Sequence, residues 1–147
     1  MKIEILKYLL EEQFTKAVAR FRKYDIEYSI ALIYGNHQNM NKLINDSVRN
    51  TDQVIFISKN LFVIIYEYTP GNGASAALQN LMKKLNPYGV AKLTIVFTKI
   101  YDHDTDGNPI IHRLFVMFNE YIGQNGLFGD SLFFEEDSTQ HIDFSDI

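Results

Sequence analysis

The residues best suited to bind a ligand are Arg49 and Asp52, which are separated by two residues just before a strand-like run. Arginine presents a planar fork of N–H donors to a phosphate or to the edge of a base, and a neighbouring carboxylate accepts N–H bonds from the same base. The pair also has an ordinary structural use, because arginine often ends a helix and aspartate often begins a turn. Both interpretations are open at the level of the sequence.

A second group of candidate ligands is acidic: Asp102, Asp104 and Asp106 alternate along a polar stretch that ends at Gly107. This spacing imitates the start of a calcium-binding loop, in which alternate oxygens surround the ion. Such a loop needs a bidentate glutamate at its twelfth position, and that position is Arg113. We therefore expect a loop with solvated carboxylates, leading into a helix, and no calcium site.

Other metal and nucleophile chemistry has little support in the composition. The chain has no cysteine, which excludes disulfides, thiol nucleophiles and zinc–thiolate sites. No serine lies in a nucleophile elbow of the GxSxG type. The histidines lie on separate predicted elements without i, i+4 pairing, so we expect no metal and no cofactor. They are His37, His103, His112 and His141.

Length and composition predict one globular domain over residues 1–147, because 46% of the residues are hydrophobic and 22% are charged. The net charge is −4, and residues 130–147 form an acidic tail with six Asp or Glu and no Lys or Arg. An acidic chain does not attract phosphate backbones, so we expect no nucleic-acid partner. The apolar runs are too short to cross a bilayer and the N-terminus is no secretory signal, which predicts a cytoplasmic protein without a membrane partner.

Apolar periodicity predicts the elements that position these residues. Apolar side chains at three- and four-residue steps predict an N-terminal helix within residues 1–24, and β-branched or aromatic runs predict strands. The predicted strands cover residues 27–34, 53–58, 61–69 and 91–100, and helices are predicted around residues 40–48, 74–85 and 111–122. Lys59 and Asn60 are expected to form a tight hairpin turn with Asn60 at positive φ. A short edge strand is expected at residues 131–135.

The order of elements after the first helix is β-α-β-β-α-β, which predicts an α+β fold of the ferredoxin-like type. In this arrangement an antiparallel sheet lies on one side and helices cover it from the other. The N-terminal helix precedes this core, and the acidic tail follows it.

This element order, with a hairpin over residues 53–69, resembles the GGDEF domain, the nucleotide-cyclase-like fold of enzymes that condense two GTP into cyclic di-GMP. In that family the signature pentapeptide lies at the turn of the central hairpin. The matching stretch here is Ser58-Lys59-Asn60-Leu61-Phe62, of which only Phe62 is retained. The resemblance extends from the first helix to about Gly126 and implies a degenerate GGDEF-like domain without the signature.

The resemblance also implies which chemistry has been lost. The family's metal-binding aspartate at the end of the first strand falls on Tyr34, and the acidic residue of the signature falls on Asn60. A triphosphate needs carboxylate-bound metals to offset its charge before a hydroxyl can attack it. The two glycines that admit the phosphates are replaced by Ser58 and Lys59. We therefore expect no cyclase activity; the alternative is a nucleotide-handling enzyme of the same fold that uses GTP and Mg²⁺.

One feature of the family is retained: Arg49-Asn50-Thr51-Asp52 matches the RxxD motif that precedes the signature by five residues and binds the cyclic dinucleotide product in many members. The resemblance therefore implies a cyclic di-GMP receptor that uses Arg49 and Asp52. The alternative is a regulatory module that binds a protein partner, or a second copy of itself, through surface aromatics. The tyrosines expected at the surface are Tyr8, Tyr66, Tyr68 and Tyr88.

Overall fold

The structure is a computed structural model that describes the backbone of residues 3–130 and the side chains from residue 7 onward. The helices are α1 (Ile3–Tyr24), α2 (Met40–Asn45), α3 (Gly71–Leu85) and α4 (Asn108–Tyr121), with a 3₁₀ turn at Asn86–Tyr88. The strands are β1 (Tyr28–Asn36), β2 (Gln53–Phe56), β3 (Leu61–Glu67), β4 (Ala91–Lys99) and β5 (Gly126–Gly129). They form one sheet in the order β2-β3-β1-β4-β5.

The predicted α+β class, the N-terminal helix and the β-α-β-β-α-β order are confirmed. β1 lies between β3 and β4, antiparallel to both, so most of its residues are buried. The four predicted strands form the expected antiparallel sheet, but the sheet as a whole is mixed, because a fifth strand, β5, adds to β4 in parallel and pairs Leu127 with Ile95. A parallel neighbour requires a crossover connection, and α4 provides it.

β5 was not predicted because its sequence, Gly-Leu-Phe-Gly, is typical of a segment that ends a helix. In the sheet, aromatic rings cover both glycines. A Cβ on Gly126 would lie 2.9 Å from the ring of Phe128, and a Cβ on Gly129 would lie 2.8 Å from the ring of Phe97. The edge strand expected at residues 131–135 and the acidic tail after Asp130 lie outside the described residues.

Helices cover both faces of the sheet, whereas the sequence predicted helices on one side only. α1 and α4 pack on one face, and α2 and α3 pack on the other. Alternate residues of β1 point into the two cores: Ile30 and Leu32 face α1 and α4, while Ala31 and Ile33 face α2 and α3. A strand that is buried on both faces has a continuous run of apolar residues, which explains the consecutive apolar residues of β1 and β3.

α1, with 22 residues, is the longest helix in the described part of the chain, and it is amphipathic. Leu10, Phe14 and Val18 are buried at four-residue spacing, as the sequence predicted. Arg22 and Lys23 occupy its last turn, where they complement the negative end of the helix dipole. Within the described residues, no helix has the length and apolarity needed to cross a membrane.

The connection between β2 and β3 has four residues, longer than the expected two-residue turn. The N–H groups of Ile57 and Ser58 both donate to the carbonyl of Leu61, at 3.0 and 3.1 Å. The expected positive φ of Asn60 is wrong, because a four-residue connection closes without it. The non-glycine residues that do have positive φ in the described part are Asp25, Tyr68 and Lys92.

Candidate functional site

The candidate site lies at the turn between α2 and β2, where Arg49 and Asp52 bind each other. The N–H of Asp52 donates to the carbonyl of Arg49 at 3.0 Å, which closes a β-turn. The Asp52 carboxylate accepts the N–H of Arg49 at 2.9 Å, and Nη2 of the guanidinium lies 2.8 Å from Oδ1. Nε lies 3.2 Å from both carboxylate oxygens. One short turn therefore carries both residues and directs them toward each other.

Two contacts from the end of β3 and the loop after it also orient the Arg49 guanidinium. Nη2 donates to Oγ1 of Thr69 at 3.0 Å, and Cζ lies 5.9 Å from the centre of the Tyr66 ring. Thr69 is held in turn, because its hydroxyl donates to the carbonyl of Glu67 and its N–H donates to the carbonyl of Glu27. The guanidinium is thus held between the turn, a hydroxyl and an aromatic ring.

Arg49 and Asp52 differ in their access to solvent. The side chain of Arg49 is 57% exposed and that of Asp52 is 1% exposed. The hydrogen bond to Asp52 raises the pKa of the Arg49 guanidinium above its ordinary value. Burial raises the pKa of the Tyr66 phenol, and the charge of Asp52 adds to the rise. The site presents a permanent cation to solvent with its counter-ion buried beneath it.

Arg49 and Asp52 were predictable as site residues from the sequence, whereas Thr69 and Tyr66 were not. Thr69 is 20 residues from Arg49 in the chain and reaches it because the hairpin returns the end of β3 to the start of β2. No local pattern signals such a contact. The expectation that Tyr66 lies at the surface is wrong, since it is 4% exposed in the core that α2 and α3 cover. The other three tyrosines are exposed as expected: Tyr8, Tyr68 and Tyr88.

The positions that the resemblance assigns to metal ligands lie at the opposite end of the hairpin. Tyr34 pairs with Leu61 between β1 and β3, and the N–H of Gly35 donates to the carbonyl of Asn60 at 3.1 Å. The Tyr34 ring packs edge-to-face on Phe118, with ring centres 6.2 Å apart. Oδ1 of Asn60 is buried and has no hydrogen-bond partner among the residues that the structure describes. An aromatic ring and a neutral amide therefore occupy the positions where the resemblance implies carboxylates.

The other signature positions begin β3 or form the turn before it. Leu61 and Phe62 are core residues on opposite faces of the sheet. Ser58 is half-buried and Lys59 is exposed, and both carry side chains at positions where the resemblance implies glycine. In the part of the chain that the structure describes, no three His, Cys, Asp or Glu side chains are grouped to hold a metal ion.

The alternating aspartates belong to a loop that two arginines hold together. Both oxygens of Asp104 accept hydrogen bonds from Arg113 at 2.7 Å. Arg22 of α1 donates to the carbonyls of Asp102 and Asp104 at 2.9 and 2.7 Å. The loop leads from β4 into α4 as expected, but Asp104 is fully buried, so the expected solvation of its carboxylate is wrong. The fold buries this carboxylate because Arg113 neutralises it.

Comparison of the structure with solved structures identifies the fold. The GGDEF domain of DgcB from Caulobacter crescentus, in complex with c-di-GMP, has a TM-score of 0.66 at 9% identity, over 80% of this chain and 86% of that one. The GGDEF domain of YfiN (TpbB) from Pseudomonas aeruginosa has a TM-score of 0.66 at 13% identity, over 86% of this chain and 90% of that one. This chain has the GGDEF-domain fold.

The GGDEF fold is also that of FimX from Pseudomonas aeruginosa, whose GGDEF domain has a TM-score of 0.64 at 14% identity, over 81% of this chain and 90% of that one. No protein-family model and no curated protein matches the sequence. The resemblance inferred from element order is therefore confirmed for the GGDEF fold. In this fold, Arg49 and Asp52 stand before the central hairpin, and the stretch from Ser58 to Phe62 spans its turn.

Proposed function

We propose that this domain is a non-catalytic GGDEF-fold receptor that binds cyclic di-GMP at Arg49. The proposal rests on one observation. The guanidinium of Arg49 is exposed to solvent, and contacts with Asp52, Thr69 and Tyr66 hold it in place. A guanidinium held in one orientation loses little entropy when its remaining N–H donors bind the edge of a guanine or a phosphate. The DgcB domain of the same fold is described in complex with c-di-GMP.

In this proposal Arg49 contacts the ligand and Asp52 positions Arg49. Both oxygens of Asp52 already accept hydrogen bonds from Arg49, and the carboxylate is almost fully buried. Nη1 of Arg49 has no acceptor among the described residues, so it is available to a ligand. The sequence interpretation gave Asp52 a direct contact with the base; the geometry supports the positioning role instead.

The second part of the proposal is that the domain has no cyclase activity. Attack of a hydroxyl on an α-phosphate depends on divalent cations, whose Lewis acidity contributes several kcal/mol to the stabilisation of the transition state. Tyr34 and Asn60 supply no charge at the two implied ligand positions, and the Tyr34 ring packs on Phe118. Incubation of the pure protein with GTP and Mg²⁺, followed by chromatography of the nucleotides, is expected to give no cyclic di-GMP. Turnover that rises with protein concentration would refute this part.

Isothermal titration calorimetry with cyclic di-GMP tests the binding site. The wild type is expected to bind with a dissociation constant of roughly micromolar order. Arg49→Ala is expected to weaken binding at least about 100-fold, and Arg49→Lys at least about tenfold, because an ammonium lacks the planar group that Asp52 and Thr69 hold in one orientation. Lys59→Ala removes an exposed cation at the other end of the hairpin and serves as the matched control. Equal affinities of the wild type and Arg49→Ala, or no heat for the wild type, would overturn the proposal.

A double-mutant cycle tests the positioning role of Asp52. Asp52→Asn is expected to weaken binding in the wild-type background, because it loosens the guanidinium. The same substitution is expected to have no further effect in the Arg49→Ala background, since residues that act through one another are not additive. Additive losses would show that Asp52 contacts the ligand itself. Thermal unfolding of each variant separates loss of binding from loss of fold.

A further inference from the structure

Tyr68 is an exposed aromatic residue next to a contact that holds Arg49. It follows β3 directly and is 68% exposed. The next residue is Thr69, whose hydroxyl accepts the hydrogen bond from Nη2 of Arg49 at 3.0 Å. Consecutive Cα atoms lie about 3.8 Å apart across a trans peptide. The side chain of Tyr68 therefore starts beside a residue that orients the guanidinium.

The backbone of Tyr68 has a conformation that tyrosine rarely adopts. Its φ is +57°, in the left-handed region, where the Cβ of an L-residue crowds the following carbonyl oxygen. A bulky residue in this region is a true outlier. Outliers of this kind concentrate at ligand-binding and catalytic sites, where the surrounding structure holds them in place.

Hydrogen bonds on both sides of Tyr68 maintain this conformation. Thr69 donates its N–H to the carbonyl of Glu27 at 2.9 Å, and its hydroxyl donates to the carbonyl of Glu67 at 3.0 Å. The carbonyl of Thr69 accepts the buried hydroxyl of Ser29 at 2.9 Å. The chain cannot relax at Tyr68 without losing bonds of this set. The fold thus keeps a strained backbone and an exposed ring at the same position.

A nucleotide has a second surface that a guanidinium in the plane of the base does not cover. Arg49 donates to the edge of a guanine or to a phosphate, whereas every base also has a flat π-face. Aromatic side chains bind that face by stacking, and tyrosine loses little entropy in doing so because it has only two χ angles. An exposed ring beside an exposed guanidinium complements both surfaces of one nucleotide.

We propose that Tyr68 stacks on a guanine base of the cyclic di-GMP that binds at Arg49, and so favours a ligand with a base over a simple phosphate. The inference rests on the proposed function, since it requires the dinucleotide at Arg49. Tyr68 is a specificity residue in this arrangement, and Arg49 supplies the charge. Removal of one stacking ring weakens nucleotide binding by roughly 5- to 150-fold.

Calorimetry with cyclic di-GMP on variants that remove or keep the ring tests the stack. Tyr68→Asn removes the ring at a backbone conformation that asparagine tolerates, and it is expected to weaken binding at least about tenfold. Tyr68→Phe keeps the ring and is expected to bind like the wild type. Tyr88→Asn is the matched control, because Tyr88 is also exposed but lies in the 3₁₀ turn after α3.

Thermal unfolding of the same variants separates a ligand contact from a structural role. Tyr68→Asn is expected to be at least as stable as the wild type, because asparagine adopts a positive φ more easily than tyrosine does. A tyrosine that served only the fold would lose stability and binding together. Weaker binding by a protein of equal or greater stability therefore assigns the ring to the ligand.

A tryptophan at position 68 reports the stack directly, because the chain has none of its own. The fluorescence of Tyr68→Trp is expected to fall as cyclic di-GMP is added, since stacking places the base against the indole. The signal of Tyr88→Trp is expected to stay constant. Adding Arg49→Ala to Tyr68→Trp is expected to abolish the change.

The outcomes distinguish this inference from the function on which it rests. Binding that depends on Arg49 but is equally tight in Tyr68→Asn, or that leaves the fluorescence of Tyr68→Trp unchanged, would overturn the stack and leave the receptor proposal intact. No heat for the wild type at high protein concentration would overturn both.

Discussion

Arg113 and Asp104 form a buried, bidentate ion pair that joins α4 to the loop before it. Nη1 and Nη2 lie 2.7 Å from the two carboxylate oxygens, and the side chains are 5% and 0% exposed. Arg113 also donates to Oγ1 of Thr98 and to the carbonyl of Lys99, both at 3.1 Å. Arg113 stands where a calcium loop requires glutamate, and it supplies the charge that neutralises Asp104.

Breaking this pair is expected to destabilise the domain. We expect Asp104→Asn to lower the free energy of unfolding by about 3–5 kcal/mol, because it leaves the Arg113 charge buried without a counter-ion. Asp102→Asn, in the same loop but exposed, is expected to change it by less than about 0.5 kcal/mol. Urea unfolding followed by circular dichroism measures both. Similar losses of unfolding free energy for the two variants would contradict a stabilising role of the Arg113–Asp104 pair.

Calcium is expected to leave the stability of the domain unchanged. An ion that bound only the folded state would raise the melting temperature in proportion to the logarithm of its concentration. Arg113 engages the carboxylate of Asp104, and Arg22 engages the carbonyls of Asp102 and Asp104. We expect a shift below about 1 °C between excess chelator and millimolar calcium in thermal unfolding. A rise that continues with calcium concentration would show that the loop does bind the ion.

Gly107 is expected to tolerate no side chain, because the loop touches the backbone of α1 there. A Cβ on Gly107 would lie 2.8 Å from the carbonyl oxygen of Glu11 and 3.0 Å from the nitrogen of Thr15. We expect Gly107→Ala to lower the free energy of unfolding by about 1–3 kcal/mol, since backbone atoms cannot move aside like a flexible side chain. Gly71→Ala is the control, as no atom of the described part of the chain lies within 4 Å of its Cβ position. An equal effect of the two substitutions would argue against the close approach.

The domain is expected to lose stability in alkaline solution through Tyr66. Burial raises the pKa of this phenol above the value near 10 that tyrosine has in an unfolded chain. The folded state therefore keeps a proton that the unfolded state loses, so stability is constant below about pH 10 and falls as the pH rises further. The slope is up to about 1.4 kcal/mol per pH unit.

Unfolding experiments between pH 8 and pH 11.5 measure this effect, with the free energy of unfolding plotted against pH. Tyr66→Phe is expected to reduce the decline above about pH 10, because the phenylalanine has no proton to lose; burial also raises the pKa of Tyr28 and of Tyr101, and these two phenols account for the remaining slope. Tyr88→Phe, at an exposed position, controls for the removal of a tyrosine. An unchanged slope in Tyr66→Phe would assign the alkaline loss to other groups.

Elements with a strong local pattern were predictable from the sequence, and those that depend on distant contacts were not. The apolar stripe of α1 and the β-branched runs of β1 and β3 are local signals, and each formed as predicted. β5 has no such signal, because its four residues become a strand only where β4 offers an edge and Phe97 covers Gly129. The placement of helices on both faces likewise depends on connections that periodicity does not encode.

The sequence by itself determined which groups are present. Tyr34 and Asn60 stand at the two implied metal-ligand positions, Arg49 and Asp52 are three residues apart, and the chain has no cysteine. Only the tertiary structure decided what those groups can do. Asp52 and Asp104 are buried beside Arg49 and Arg113, while the Arg49 guanidinium stays exposed. The physical reason is that the burial of a side chain is set by how the elements pack in space, and residues far apart in the chain supply it.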